Sequence, residues 1–92
     1  MGLPEIEEWL MSPKLTIYST PWCGYCHRLM KQLEREGVEY TSVDIERDPA
    51  AAKFVTAVNG GNQTVPTVVF ADGLAATNPS VKDVLARMRA LA

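Results

Sequence analysis

Along residues 14–19, Lys-Leu-Thr-Ile-Tyr-Ser, apolar and polar positions alternate, with Leu15 and Ile17 on one side and Thr16 and Tyr18 on the other. That period of two predicts a first strand. Thr20 and Pro21 turn the chain. The period then lengthens: Cys26, Leu29, Met30 and Leu33 recur at the spacing of one helical face until Gly37 ends the run. Residues 40–44 read as a second strand, parallel to the first because a helix-length crossover separates them. Asp48 and Pro49 then form an N-cap and first-turn signal. Ala52, Val55 and Val58, flanked by Phe54, predict a second helix that stops at Asn59-Gly60-Gly61.

Residues 65–70 predict a third strand that Pro66 can occupy only at its start, because proline has no amide hydrogen for the ladder. Asp72-Gly73 marks a hairpin, and residues 74–77 return as a short fourth strand. Ser80 and Asp83 have capping-box spacing ahead of a last helix with Val81, Val84, Leu85, Met88 and Leu91 as its buried stripe. The order βαβαββα predicts an α/β fold: a four-stranded mixed sheet with helices on both faces.

At 92 residues the chain holds one domain. Residues 14–92 carry the periodic pattern. Residues 1–13 read as an acidic extension containing Glu5, Glu7 and Glu8, in which residues 4–11 could form a short amphipathic helix and Met11 could be the natural start. A net charge of −2 with interspersed signs argues against a nucleic-acid footprint or a polybasic membrane anchor. No run has the length of a signal peptide or a bilayer span, so a cytoplasmic protein, monomeric and not membrane-bound, is expected.

The chain has two cysteines, in Trp22-Cys23-Gly24-Tyr25-Cys26-His27. They are too few for a closed zinc site and too close together to staple a secreted fold, so no metal is assigned. The segment fits both C-x-x-C-H, the haem-attachment signal, and C-x-x-C, the dithiol signal. Haem attachment is extracytoplasmic, and Met30 lies only one turn after His27, too near to reach the opposite face of a porphyrin. The dithiol reading is therefore preferred, with His27 and Arg28 as solvated helix residues.

A strand-to-helix junction suits that chemistry. Cys23, opening the helix, faces unpaired amides and the positive end of the helix dipole, both of which favour a thiolate. Cys26 lies one turn further and is shielded, as a resolving thiol should be. Gly24 keeps the approach open, and Trp22 and Tyr25 flank it with broad apolar faces.

Thr20-Pro21-Trp22-Cys23-Gly24-Tyr25-Cys26 after a first strand, and Thr64-Val65-Pro66 before a third, resemble the thioredoxin superfamily and specifically the glutaredoxins. Residues 58–68 and 72–79 are most similar to the mycoredoxins of actinobacteria. The resemblance implies a thiol-disulfide oxidoreductase with Cys23 as nucleophile and Cys26 as resolving thiol. It implies no bound cofactor and a low-molecular-weight thiol, mycothiol favoured over glutathione, as co-substrate. S-thiolated proteins are the implied partners. It further implies a cis bond before Pro66 and a substrate held by the Val65 backbone as a short added strand, with Thr64 alongside.

Where glutaredoxins have Gly-Gly-x-x-Asp, this chain has Thr77-Asn78-Pro79-Ser80. Thr77 and Asn78 could offer hydrogen bonds to a sugar-like thiol, or serve simply as strand end and helix cap. Two alternatives stand beside this reading. One is a glutaredoxin-like electron donor to ribonucleotide reductase, recharged by thioredoxin reductase, although the usual Trp-Ser-Gly-Phe-Arg-Pro stretch is absent. The other is a non-catalytic adaptor or iron–sulfur carrier on the same scaffold.

Overall fold

The element order matches the periodicities. A computed structural model describes residues 15–91, and the readings of residues 1–13 lie outside them. Strands β1 (Thr16–Ser19), β2 (Thr41–Asp44), β3 (Thr67–Val69) and β4 (Ala75–Thr77) alternate with helices α1 (Gly24–Arg35), α2 (Pro49–Val58) and α3 (Val81–Leu91) in the order β1-α1-β2-α2-β3-β4-α3. The sheet runs β2-β1-β3-β4. β1 pairs parallel with β2, and β3 pairs antiparallel with both β1 and β4. The outcome is the expected four-stranded mixed sheet, with β1 in an interior position.

Alternation along β1 builds a core on each face. Leu15 and Ile17 join Val68 under Leu29 and Leu33 of α1 and Val84 and Met88 of α3. Tyr18 faces the other way and packs with Val43, Val65 and the α2 residues Ala51 and Val55. Its ring meets that of Phe54 at 5.2 Å between centroids. Fully buried aliphatics such as Ile17, Leu33 and Val68 each contribute about 1.5–3 kcal/mol. This pins the helices, and with them the β1–α1 junction, against the sheet.

Local signals set the helix ends. Asp48 caps α2 by accepting the Ala51 N–H at 3.1 Å, with Pro49 just inside. Ser80 caps α3 by accepting the Asp83 N–H at 3.0 Å. At the end of α1, Gly37 takes φ +77° while its N–H reaches Glu34 O and the Val38 N–H reaches Leu33 O. That closure requires a left-handed residue, which glycine supplies without a Cβ penalty.

The strands are shorter than the alternation predicts. β2 starts at Thr41, β3 at Thr67 and β4 at Ala75, because a strand extends only as far as a partner lies opposite, and alternation does not report partners. Leu91, expected in the buried stripe of α3, is instead exposed. It is the last helical residue, past the reach of the sheet.

Candidate active site at the β1–α1 junction

After β1 the chain makes a tight turn in which the Cys23 N–H donates to Thr20 O at 3.2 Å. Cys23 is extended (φ −85°, ψ 108°) and occupies the N-cap of α1. Its Sγ accepts the Cys26 N–H at 3.1 Å. The sulfur thus fills the position usually taken by a serine or aspartate oxygen at a helix start, where orphan amides and the helix dipole favour negative charge. Cys23 and Cys26 are joined as a disulfide, with their Cα atoms 5.3 Å apart. Cys26 is completely buried, whereas Cys23 keeps 6% of its surface. Attack from solvent can therefore reach only the first sulfur. A Cβ built on Gly24 would meet no atom within 4 Å, so the space in front is open.

The second wall is the segment before β3. The Val65–Pro66 peptide is cis, and Val65 O lies 3.8 Å from Cys23 Sγ. A reduced Cys23 thiol would have that carbonyl as its acceptor. The carbonyls on either side of Val65 are occupied: Thr64 O accepts the Thr67 hydroxyl at 2.7 Å, and Pro66 O accepts the Asn78 N–H at 2.8 Å. Val65 is half-buried, and among the described residues its N–H has no hydrogen-bond partner. Next to the sulfur, then, is a one-residue backbone edge with an available donor.

Trp22 and Tyr25 flank the opening and are 71% and 63% exposed, large values for aromatic side chains. The Trp22 indole N–H donates to Glu46 Oε2 at 2.6 Å, and the Arg28 guanidinium stands 5.8 Å over the Tyr25 ring. His27 is an exposed helix residue, as expected, and it also has a specific partner. Its Nε2 approaches Pro21 O at 2.7 Å, and since a carbonyl can only accept, that nitrogen carries the hydrogen. The histidine thus braces the turn that presents Cys23. Arg28, expected to be solvated, also has a specific neighbour.

Thr77 ends β4, and its hydroxyl lies 2.6 Å from Asn59 Oδ1. Asn78 adopts φ +48°, and Ser80 rather than Asn78 caps α3. Asn59 and Glu46 are structural partners that sequence reasoning missed. Asn59 appears in the chain only as a helix terminator, and Glu46 only as a loop acid. Neither carries a local sign that it will meet a residue of another element. Among the described residues no group of three His, Cys, Asp or Glu side chains comes together.

Displaced acidities fall elsewhere. Burial, aided by the Glu34 carboxylate that its hydroxyl contacts, pushes Tyr40 up to about 12. The Leu74 N–H, helped by Arg87, holds Asp72 below the usual carboxylate range.

A family model described as Glutaredoxin matches residues 15–74. A Mycobacterium tuberculosis protein named as a glutaredoxin is 54% identical over 79 residues, covering 86% of this chain and 94% of the relative. Mycoredoxin 1 of Corynebacterium glutamicum is 47% identical over 78 residues, covering 85% and 96%. Among solved structures, the glutaredoxin-like NrdH-redoxin of Escherichia coli superposes with a TM-score of 0.64 at 27% identity, covering 79% and 91%. A glutaredoxin of Archaeoglobus fulgidus reaches a TM-score of 0.69 at 22% identity, covering 96% and 99%, a likeness of fold.

Proposed function

Because this chain belongs to the glutaredoxin family and is a thiol-disulfide oxidoreductase, we propose that it reduces mixed disulfides between proteins and mycothiol. Cys23 attacks and Cys26 resolves. The observation that carries this assignment is the capping of Cys23 Sγ by the Cys26 N–H at 3.1 Å, on the one cysteine of the pair that keeps any exposed surface. A hydrogen bond to the charged form stabilises the thiolate, which is the reacting species.

The Cys23 thiolate attacks the small-thiol sulfur of the mixed disulfide. A new S–S bond forms at Cys23 while the protein thiolate leaves and takes a proton. A second small thiol, as its thiolate, attacks the small-thiol sulfur, frees Cys23 and departs as the symmetrical disulfide. Alternatively Cys26 attacks Cys23 Sγ, expels the small thiol and closes the disulfide present in the structure. Two equivalents of small thiol reopen it. The small thiol supplies both electrons on either route. We take the catalyst as a monomer in the cytoplasm, a compartment in which disulfides are transient and catalytic.

Mycothiol is favoured by the 47% identity to Mycoredoxin 1 across 96% of that protein and by Thr77-Asn78-Pro79-Ser80 in place of an acidic clamp. The Val65 edge with its available N–H would pair with the amide groups of the thiol. Trp22 and Tyr25 would line the approach, and Asn78 would lie at its far side.

Competition decides between thiols. Cys26→Ser exposed to equal mycothiol disulfide and glutathione disulfide should give predominantly the mycothiol adduct by mass spectrometry. A predominant glutathione adduct overturns the choice. Cys23→Ser should abolish demycothiolation, whereas Cys26→Ser should retain it; equal activity in both removes Cys23 as nucleophile. The likeness to NrdH-redoxin supports a second reading as an electron donor. Efficient reduction of the Cys23–Cys26 disulfide by thioredoxin reductase and NADPH, without any small thiol, would favour it.

A further inference from the structure

Behind the Val65 edge runs a chain of side-chain hydrogen bonds that joins three elements. Asn59, at the C-cap of α2, places Nδ2 at 2.8 Å from Val55 O and 3.0 Å from Thr67 Oγ1. Thr67 Oγ1 lies 2.7 Å from Thr64 O, and Thr77 Oγ1 lies 2.6 Å from Asn59 Oδ1. The direction of every hydrogen follows from the carbonyls. Val55 O can only accept, so the amide nitrogen of Asn59 faces it and the amide oxygen faces Thr77. Thr64 O can only accept, so the Thr67 hydroxyl donates to it and must itself accept from Asn59. The order is therefore Thr77 to Asn59 to Thr67 to Thr64, with both amide hydrogens and the facing oxygen of Asn59 in use.

Thr67 is completely buried, so its hydroxyl sits in a medium where an unpaired group is costly, while Asn59 is half-buried and Thr77 lies at the exposed end of the chain of bonds. It ends on the residue next to Val65 and holds the Thr64 carbonyl turned inward. On the other flank the Asn78 N–H holds the Pro66 carbonyl. With both neighbours fixed, the peptide groups of Val65 have a defined direction beside Cys23 Sγ.

We propose that Asn59, acting through Thr67, is a positioning residue for recognition of the small thiol: it orients the Val65 edge and thereby sets affinity for a thiol bearing amide groups. The proposal rests on the reading that such a thiol docks on that edge, but not on which thiol it is. The side-chain hydrogen bonds of Asn59 go to Val55, Thr67 and Thr77, so it reaches the edge only through Thr67.

Polarity makes the test specific. Asn59→Asp preserves shape but replaces the amide donor with an acceptor, so Thr67 is drawn to donate to residue 59 and releases Thr64 O. Adduct formation at Cys23 would be followed in a Cys26→Ser background against the concentration of mycothiol disulfide, of glutathione disulfide and of hydroxyethyl disulfide. The last has no amide for the edge to hold. For whichever of the first two binds more tightly, the half-saturating concentration should rise about tenfold, the loss of roughly one hydrogen bond. The limiting rate, and the rate with hydroxyethyl disulfide, should stay within about twofold.

Thr67→Val and Thr67→Ser provide a second comparison should the aspartate variant not fold. Valine should reproduce the loss and serine, which keeps the hydroxyl, should restore affinity. Equal slowing with all three disulfides, no change in half-saturation, or failure of serine to differ from valine overturns the proposal. A preference for glutathione would overturn the mycothiol assignment above and leave this one standing.

Discussion

Cys26→Ser cannot form the disulfide and carries one thiol, at Cys23, while the backbone amide of residue 26 still points at its sulfur. Serine removes the second thiol but not the N–H, which makes the variant a direct probe of the cap. A hydrogen bond to a charged group contributes about 1.5–3 kcal/mol, and the helix dipole adds about 0.3–1 kcal/mol in the first turn. Near-complete burial of Cys23 and the Val65 carbonyl at 3.8 Å oppose them. If those two opposing effects offset the dipole, the net preference is about 1.5–3 kcal/mol. At about 1.4 kcal/mol per decade, that enlarges the ratio of thiolate to thiol about ten- to hundredfold.

The assay is the rate of alkylation by iodoacetamide as pH is lowered, read by mass spectrometry. A free thiol titrating near 8.5 loses roughly 75-fold in thiolate fraction between pH 8 and pH 6. Cys23, with that ratio enlarged about ten- to hundredfold, should lose only about 4- to 25-fold over the same interval. Because the comparison is made within one thiol, the lower intrinsic nucleophilicity of a more acidic thiol cancels. A pH profile parallel to that of free cysteine would refute the capping argument, whatever the absolute rates.

Ser80→Ala removes the cap of α3 and should cost about 1 kcal/mol, seen as a lower urea midpoint with an unchanged slope. The rate of Cys23 alkylation should not change, because Ser80 serves only the helix start. Tyr40 gives a pH dependence with a defined sign. Its folded-state value, raised to about 12, favours the protonated phenol, so the associated stability is complete below about pH 10 and is lost as pH rises through 12. Urea denaturation at pH 9 and pH 11.5 should therefore show a smaller loss for Tyr40→Phe than for the parent, by less than about 1 kcal/mol given solvent screening. An equal loss in both would remove Tyr40 as the source.

The candidate site was legible where its determinants are local. Trp22-Cys23-Gly24-Tyr25-Cys26 falls between a period of two and a period near 3.6, and that change alone puts Cys23 at a helix opening. Pro66 at the head of a strand likewise follows from its missing amide hydrogen. The bend of His27 back to Pro21 was not legible, although the two are close in sequence. A histidine after a C-x-x-C is compatible with several rotamers, and only the folded turn offers it a carbonyl. Leu91 shows the reverse error: a helical period continues past the point where the sheet beneath it ends.

The sequence by itself determined seven elements in order, the stops at Gly37 and Asn59-Gly60-Gly61, the caps at Asp48 and Ser80, and a dithiol at a strand–helix junction. Each depends on steric and hydrogen-bonding preferences within a few residues. Tertiary structure alone decided that Val65 O faces Cys23 Sγ across 42 positions, that Trp22 finds Glu46 across 24, and that Thr77 meets Asn59 across 18. Those meetings follow from the sheet order β2-β1-β3-β4. It places β3 beside β1 and brings the segment before Thr67 to the end of β1 from which the redox turn departs. Burial on both faces of β1 selects that order, and no short window of residues contains it.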